Sequence, residues 1–343
     1  MGPVTKAAVL AAGKGTRMRG LCDDYPKPLL RVANVPLLEL TLRRLQGAGI
    51  TDVLLVVGHC AAQIEAAIAD GSRWGLNVTY VLQAGPKGTG EAALLCEDFA
   101  RGQPFMLVFG DILTARANYA KANELIRQPG ADGVLSVWNT PDPSRGAATF
   151  VRDGRVTKIV EKPPRGTTQS NWDNAGMFIF PAAIFDAVRS VGLSERGEYE
   201  LTAAIQLLLE QGANLRALEL AGFWFNLTDP ETLLEANRCI LHEQLAAGEA
   251  MVGQATSIDR RAIVDRVARV GSRCRIGRAR VGFNVTICDD VVVEDGAELR
   301  SCIVLPGARV GFSTVVNAIV PPGYHVEDAH NVVGQVALAG IDT

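Results

Sequence analysis

Two short segments near the amino terminus gather the residue types that hold phosphate groups. Leu10-Ala-Ala-Gly-Lys-Gly-Thr-Arg-Met18 passes from an apolar run into glycines and cations, and Asp24-Tyr-Pro-Lys-Pro-Leu-Leu30 follows closely. Gly13 and Gly15 let backbone N–H groups approach an oxyanion where a Cβ would intrude. Arg17 can fork two phosphate oxygens, and Lys27 adds a point charge. One ion pair at 4 Å is worth about 4 kcal/mol at an effective dielectric near 20. A few such local contacts outweigh the formal net charge of −3 on the 343-residue chain. The loop is not a dinucleotide fingerprint, because Met18 stands where the third glycine belongs. It is not a Walker A loop either, since no Gly-Lys-Ser/Thr follows at the required spacing.

Elements must place those residues at one edge. Up to about residue 240 strand-like and helix-like segments alternate: a strand over Ala7–Ala12, a helix over Pro36–Ala48, a strand over Asp52–Val57 and a helix over Ala61–Asp70. A strand over Asn77–Gln83, a helix over 90–99 and an apolar strand over Phe105–Phe109 continue the pattern. Such alternation with short connections implies an α/β fold, a mostly parallel sheet flanked by helices. Ligands of these sheets sit beyond the C-terminal strand ends, where Gly13–Arg17 and Asp111 both fall. Helices over Glu198–Gln211 and Asp229–Ala247 close this domain, and 248–256 reads as a linker.

From residue 264 the pattern changes. Aliphatic residues recur at 264, 270, 276, 281, 287, 293, 299, 305, 310 and 316, mostly six apart, with Ala268, Cys274, Val285, Val291, Ala297 and Thr314 between them. Neither an α-helix nor a flat sheet has a period of six. A triangular parallel β-helix does, with one hexapeptide per side. Ten anchors make slightly more than three coils. The expected domains are therefore 1–248, an α/β domain, and 257–333, a short parallel β-helix whose repeat resembles the left-handed hexapeptide-repeat form.

Composition narrows the function. Hydrophobic residues make up 48%, enough for full cores, and the slightly negative charge excludes general attraction to nucleic acid. The seven cysteines are scattered without a C-x-x-C pair, as suits free thiols in a reducing cytoplasm. The four histidines lack zinc-ligand spacing. No apolar stretch is long enough to span a membrane, and the run at Ala7–Ala12 reads as a strand rather than a signal peptide.

The two opening segments together resemble the sugar-phosphate nucleotidylyltransferase family, whose signature is L-A-A/G-G-x-G-T-R-M/L followed by P-K-P. Further segments match in order along nearly the whole chain. Gln83-Ala-Gly-Pro-Lys-Gly-Thr-Gly-Glu-Ala92 resembles the family's base- and sugar-binding loop, and Phe105-Met-Leu-Val-Phe-Gly-Asp111 its metal strand. Arg145-Gly146, Val160-Glu-Lys-Pro163, Asn174-Ala-Gly-Met-Phe178, Glu198-Tyr-Glu-Leu-Thr202 and Trp224-Phe-Asn-Leu-Thr-Asp-Pro230 complete the series. The resemblance implies a Rossmann-like nucleotidyltransferase fold ahead of the β-helix.

It also implies roles. Asp111 would hold Mg²⁺ through a hard oxygen, with Asn226, where most relatives have Asp, as second ligand. A neutral amide weakens such a site, so most metal affinity should arise when nucleotide phosphates join it. Lys162 would contact the sugar phosphate, Glu161 and Asn174 the sugar hydroxyls, with Thr89 and Gly146 nearby. The backbone of Ala11, Ala12, Gly13, Gly15, Thr16 and Gly88 would meet the nucleotide. Gln83 can pair with a uracil or thymine edge, although guanine offers a similar donor–acceptor pattern.

The implied reaction joins a nucleoside triphosphate to a sugar 1-phosphate and releases pyrophosphate. The sugar phosphate attacks the α-phosphorus in line, with Arg17, Lys27, Asp111 and Lys162 as the catalytic set. UTP or dTTP is favoured, with glucose 1-phosphate or N-acetylglucosamine 1-phosphate as acceptor. A guanylyltransferase for mannose 1-phosphate and a non-catalytic sugar-nucleotide-binding subunit are the alternatives. The β-helix suits assembly of a homo-oligomer or regulation better than a second activity.

Overall fold

The computed structural model describes residues 2–18, 20–85, 87–334 and 336. Contacts gather the chain into two compact units. Residues up to Lys14 join Leu38–Phe225, and Gly15–Leu37 joins the chain from Asn226 onward. This division differs from a cut at residue 248: the segment with Arg17 and Lys27, and the last helix of the α/β part, group with the β-helix.

The first unit is built on a nine-stranded sheet among the described residues. Strands β1 (Lys6–Ala11), β2 (Asp52–Val57), β3 (Asn77–Leu82) and β4 (Phe105–Phe109) lie parallel in the order β3-β2-β1-β4. Helices α1 (Leu37–Gly47), α2 (Ala61–Ile68) and α3 (Thr89–Leu94) alternate with them, and a short α4 (Glu97–Ala100) splits the single helix expected over 90–99. Near-continuous apolar sequence suits these strands, because both faces are covered. All of β2 except Asp52 is buried.

The rest of the sheet is mixed. Strands β5 (Gly133–Asn139), β6 (Ala147–Arg152), β7 (Arg155–Glu161), β8 (Trp172–Phe180) and β9 (Leu215–Glu219) extend it in the order β4-β8-β5-β9-β7-β6. β8 runs antiparallel to β4 and β5, and β6–β7 is an antiparallel hairpin. The cause is local: Asp153 and Gly154, at φ +52° and +69°, form a two-residue turn that leaves no room for a crossover helix. β8 bulges between Asn174 and Phe178, while β6 also pairs with it at Asp173. Helices α5 (Arg116–Leu125), α6 (Ala183–Ser190) and α7 (Leu201–Glu210) complete the unit. Phe105, Phe178, Phe180 and Phe185 centre its core.

The second unit is a three-sided parallel β-helix with α8 (Pro230–Ala246) and the segment Gly15–Leu37. The period-six reading holds, with the stacking expected of the left-handed form. Among the described residues two sides have five strands and the third has four, so the coils outnumber the three and a fraction counted from anchors. Two anchors move by one residue: Val304, not Leu305, stacks on Ile287, and Val315, not Val316, stacks on Leu299. Thr314 accordingly starts a strand and is only half-buried. Tighter corners of five residues make the shift, and the ladder then continues through Val320, Val326 and Val332. Asp229 caps α8 by accepting from the Thr232 N–H at 2.8 Å, with Pro230 at the first helical position. Among the described residues no helix is long and apolar enough to cross a membrane.

Candidate active site

In the first unit the parallel strands end level, because Ala11 pairs with Val57, Val57 with Leu82, and Leu10 with Phe109. Ala11, Ala12 and Gly13 leave β1 at this edge. Close approach is enforced on both sides. A Cβ on Gly58 would lie 2.9 Å from the Ala12 carbonyl, and one on Gly110 would lie 2.6 Å from the Leu10 carbonyl. Gly13 is exposed, and a Cβ there would meet nothing within 4 Å, so its backbone faces open space. Asp111 follows Gly110 at the end of β4, half-buried.

Gln83 leaves β3 at the same edge. Its amide nitrogen donates to the Gly88 carbonyl at 3.2 Å and to Glu91 at 3.0 Å. The loop it closes is backed by the segment before α7. Gly90 N–H donates to the Tyr199 carbonyl at 2.7 Å, Tyr199 N–H to Lys87 at 2.9 Å, and Leu201 N–H to the Thr89 hydroxyl at 3.3 Å. Gly88 has φ +99°, and a Cβ there would sit 2.5 Å from the Tyr199 carbonyl. Only glycine fits that position. Thr89 is exposed at the start of α3. Pro86 of the motif lies outside the described residues.

The residues expected to meet the sugar come together on β6, β7 and β8. Glu161 pairs with Ala147, and Asp173 with Ala148. Lys162 N–H donates to the Gly146 carbonyl at 2.8 Å while its own φ is +39°, an unusual conformation for a lysine held before Pro163. Asn174 Oδ1 accepts from the Gly176 N–H at 3.0 Å inside the β8 bulge, which leaves its amide nitrogen to donate elsewhere. Glu161 lies 3.9 Å from Lys162 and 3.2 Å from Arg196, which in turn reaches Glu200 at 2.8 Å.

Two residues of this cluster escaped the sequence reading. Arg196 sits in a loop whose sequence, Ser194-Glu-Arg-Gly-Glu198, has no internal period; only its proximity to the Glu198–Thr202 motif marked it. Asp173 adjoins Asn174 in a strand, where a lone acid carries no signal. Its carboxylate accepts from the Ala147 N–H at 2.7 Å and occupies the space a Cβ on Gly146 would take. Burial pushes this carboxyl up to about 6, against the N–H groups of Ala147 and Asn174, which lower it; the Glu161 charge adds to the rise.

In the second unit Gly15, at φ +66°, packs its α-carbon so that a Cβ would lie 3.1 Å from Cys22 and 3.2 Å from Lys27. Thr16 and Arg17 form an exposed 3₁₀ turn closed by buried Met18, whereas Lys27 is only 7% exposed. Asn226 is exposed before α8. Burial raises the Asp229 carboxyl, but hydrogen bonds from Thr232, with a smaller effect of Arg17, hold it below the usual carboxylate range.

The nucleotidyl transferase family model matches residues 6–243. The chain belongs to this family. It is 33% identical to a glucose-1-phosphate thymidylyltransferase of Streptomyces griseus, over 94% of this chain and 93% of that protein. It is 34% identical to the UTP–glucose-1-phosphate uridylyltransferase AglF of Haloferax volcanii, over 71% of this chain and 100% of the relative. Among solved structures, a UDP-glucose pyrophosphorylase complexed with UDP-glucose superposes with a TM-score of 0.63 at 20% identity, covering 70% of this chain and 99% of that one. That likeness bears on the fold. The match to the Streptomyces relative is long enough to include the β-helix.

Proposed function

We propose that this nucleotidyl transferase is a sugar-1-phosphate nucleotidylyltransferase. One observation carries the reading. The level strand ends present an open glycine backbone, Asp111 and the Gln83–Gly88 loop, and the bulged β8 of the same sheet, beside β4, collects Gly146, Glu161, Lys162 and Asn174. A nucleotide and a sugar phosphate are what such neighbours would bind. The names of the relatives support dTTP or UTP as donor and glucose 1-phosphate as acceptor, with N-acetylglucosamine 1-phosphate the second choice.

The backbone of Ala11, Ala12, Gly13, Gly15 and Thr16 receives the triphosphate, Arg17 holds the departing pyrophosphate, and Lys27 neutralises the α-phosphoryl group. Lys162 aligns the attacking phosphate from a backbone held by its N–H bond to Gly146. The nucleophile is already anionic, so no general base is required. With the Gln83 amide nitrogen committed inside the loop, its oxygen is left to accept a base N3–H. Glu161 and Gly146 accept from sugar hydroxyls, Asn174 donates to one, and Thr89 borders the sugar.

Asp111 and Asn226 are the residues that would hold a divalent cation, Mg²⁺ by their oxygen chemistry. Among the described residues no group of three or more His, Cys, Asp or Glu side chains could cage a metal. One carboxylate and one amide fit an ion that keeps water and phosphate oxygens as its other ligands. Such an ion supplies charge neutralisation along the triphosphate.

The seven cysteines, none in a disulfide among the described residues, support a reducing compartment such as the cytoplasm. Exposed Ile263, Phe283 and Val333 support self-association through the β-helix, to be checked by sedimentation. Pyrophosphate release in a matrix of four nucleoside triphosphates against glucose, N-acetylglucosamine and mannose 1-phosphates tests the activity. Turnover with dTTP or UTP and glucose 1-phosphate is expected; best turnover with GTP and mannose 1-phosphate would replace the base and sugar assignment, and no turnover in any cell would refute the enzyme.

A further inference from the structure

The segment with Arg17 and Lys27 is anchored far along the chain. After Lys27 it makes a 3₁₀ turn (Lys27–Leu29) and a small hairpin, Arg31–Val32 against Val35–Pro36, whose turn residues Ala33 and Asn34 sit at φ +49° and +61°. That turn is gripped on both sides. Ala33 N–H donates to Asn237 Oδ1 of α8 at 2.8 Å, and Gln244 donates to the Ala33 carbonyl at 3.4 Å. Asn34 donates to Asp289 Oδ1 at 3.0 Å, and the Arg31 guanidinium lies 3.3 Å from the same carboxylate.

Both gripping residues are tied to the β-helix, Asn237 from α8 and Asp289 from within a coil. Asn237 is 1% exposed, and its oxygen also accepts from the Thr286 hydroxyl at 2.8 Å, so one atom ties hairpin, α8 and a β-helix strand together. Asp289 accepts from the Ser272 N–H of the neighbouring coil at 2.9 Å, which fixes its rotamer. Arg31 in turn donates to the Asn34 backbone and side-chain oxygens at 3.0 Å, stiffening the hairpin. The path from this grip to Lys27 is short and internally bonded: Leu37 N–H donates to Leu30, and Leu30 N–H to Lys27, at 2.9 and 3.0 Å. The Tyr25 hydroxyl donates to Leu29 at 3.0 Å. Lys27 then packs beside Cys22 and Gly15.

We infer that the β-helix is the brace that aims the triphosphate-binding cations, with Asn237 and Asp289 as positioning residues for Lys27 and Arg17. This rests on the reading of those two cations as phosphate ligands. A buried amide oxygen shared by three elements gives a single geometry, because losing it leaves a donor unsatisfied in the interior. The sugar-side residues belong to the other compact unit, so the brace should act on one substrate and not on the other.

The test compares Asn237→Ala, Asp289→Ala and the milder Arg31→Ala with the parent full-length chain, under saturating Mg²⁺, with dTTP or UTP and glucose 1-phosphate. Thermal melts establish which variants are folded. In those, KM for the nucleoside triphosphate should rise about 10-fold and kcat should fall, because small misplacements of charged groups cost that much. KM for the sugar phosphate should stay within about 2-fold, and Asp289→Asn, which keeps the acceptor for Ser272, should restore part of the loss. Folded variants with unchanged kinetics, or with both KM values raised alike, overturn the brace. Arg31, being partly exposed, keeps the test valid if Asn237→Ala does not fold. Lys27→Ala run in parallel separates the two ideas. Impaired turnover there with normal brace variants refutes only the brace; unaltered turnover in Lys27→Ala refutes the phosphate reading and the brace with it.

Discussion

Two segments assigned to the nucleotide are supported in different ways. The Gln83–Ala92 loop is closed by its own side chain and backed by Tyr199, all within one unit. The Gly15–Leu37 segment starts directly after β1 yet is held by α8 and a β-helix coil more than two hundred residues away. The first is a turn held within its own unit, and its shape follows from Gly88 and Gly90 against Tyr199. The second has a hairpin too short to be stable alone, so its geometry is borrowed from the β-helix. On the proposed roles, base recognition and phosphate charge can therefore be disturbed separately.

The largest expected effect lies outside both supports. Asp111→Ala should lower kcat by about 10³-fold, the scale of losing one essential electrostatic contact, in a chain that still folds. Full activity in that variant would remove Asp111 from the reaction and leave the two loops without a common centre. The next effect attacks the Gln83–Ala92 loop. Gly88→Ala forces a Cβ onto the Tyr199 carbonyl at positive φ, and should raise KM for the nucleotide about 10-fold while costing about 1–3 kcal/mol of stability. If kinetics stay normal, the Tyr199 backing is not what shapes the base site.

A third measurement sharpens the role of charge. With one carboxylate and one amide as the proposed ligands, Mg²⁺ should bind at least about 10-fold more tightly when nucleotide is present, because phosphate oxygens complete its shell. Calorimetric titrations giving equal affinity with and without nucleotide would refute that arrangement.

The smallest effect concerns the sugar side. Asp173 titrates near 6 in the folded protein against 3.8 as an isolated side chain. An acid with a raised folded value contributes stability that is full below 3.8 and lost as pH rises through 6. At pH 8 the ionised carboxylate should cost about 3 kcal/mol. Asp173→Asn keeps the acceptor for Ala147 and cannot ionise, so it should melt higher than the parent at pH 8 and equally near pH 4. A melting difference independent of pH would mean that this carboxylate is not strained.

Much of this was legible in the amino-acid order. Period-six aliphatics dictated the β-helix because each coil repeats one inward position, although the one-residue shifts at Val304 and Val315 depend on corner geometry that composition does not reveal. Glycines and cations after β1 are what led the sequence to be read for phosphate chemistry, because few other environments require both. The motif residues Gly146, Glu161, Lys162 and Asn174 do converge. The antiparallel half of the sheet was less legible, since Asp153-Gly154 is a short signal inside a long alternation.

Sequence alone determined which chemistry the chain can offer: the glycines at 13 and 88, the cations, and the strand-end carboxylate of Asp111. Tertiary structure decided how those groups are held. Asp173 beneath Gly146, Arg196 between Glu161 and Glu200, and Asn237 joining Ala33 to Thr286 all unite residues that nothing in local order connects. Local propensity and period are encoded within a few neighbouring residues, whereas a buried hydrogen bond between distant segments exists only after the core has set their separation.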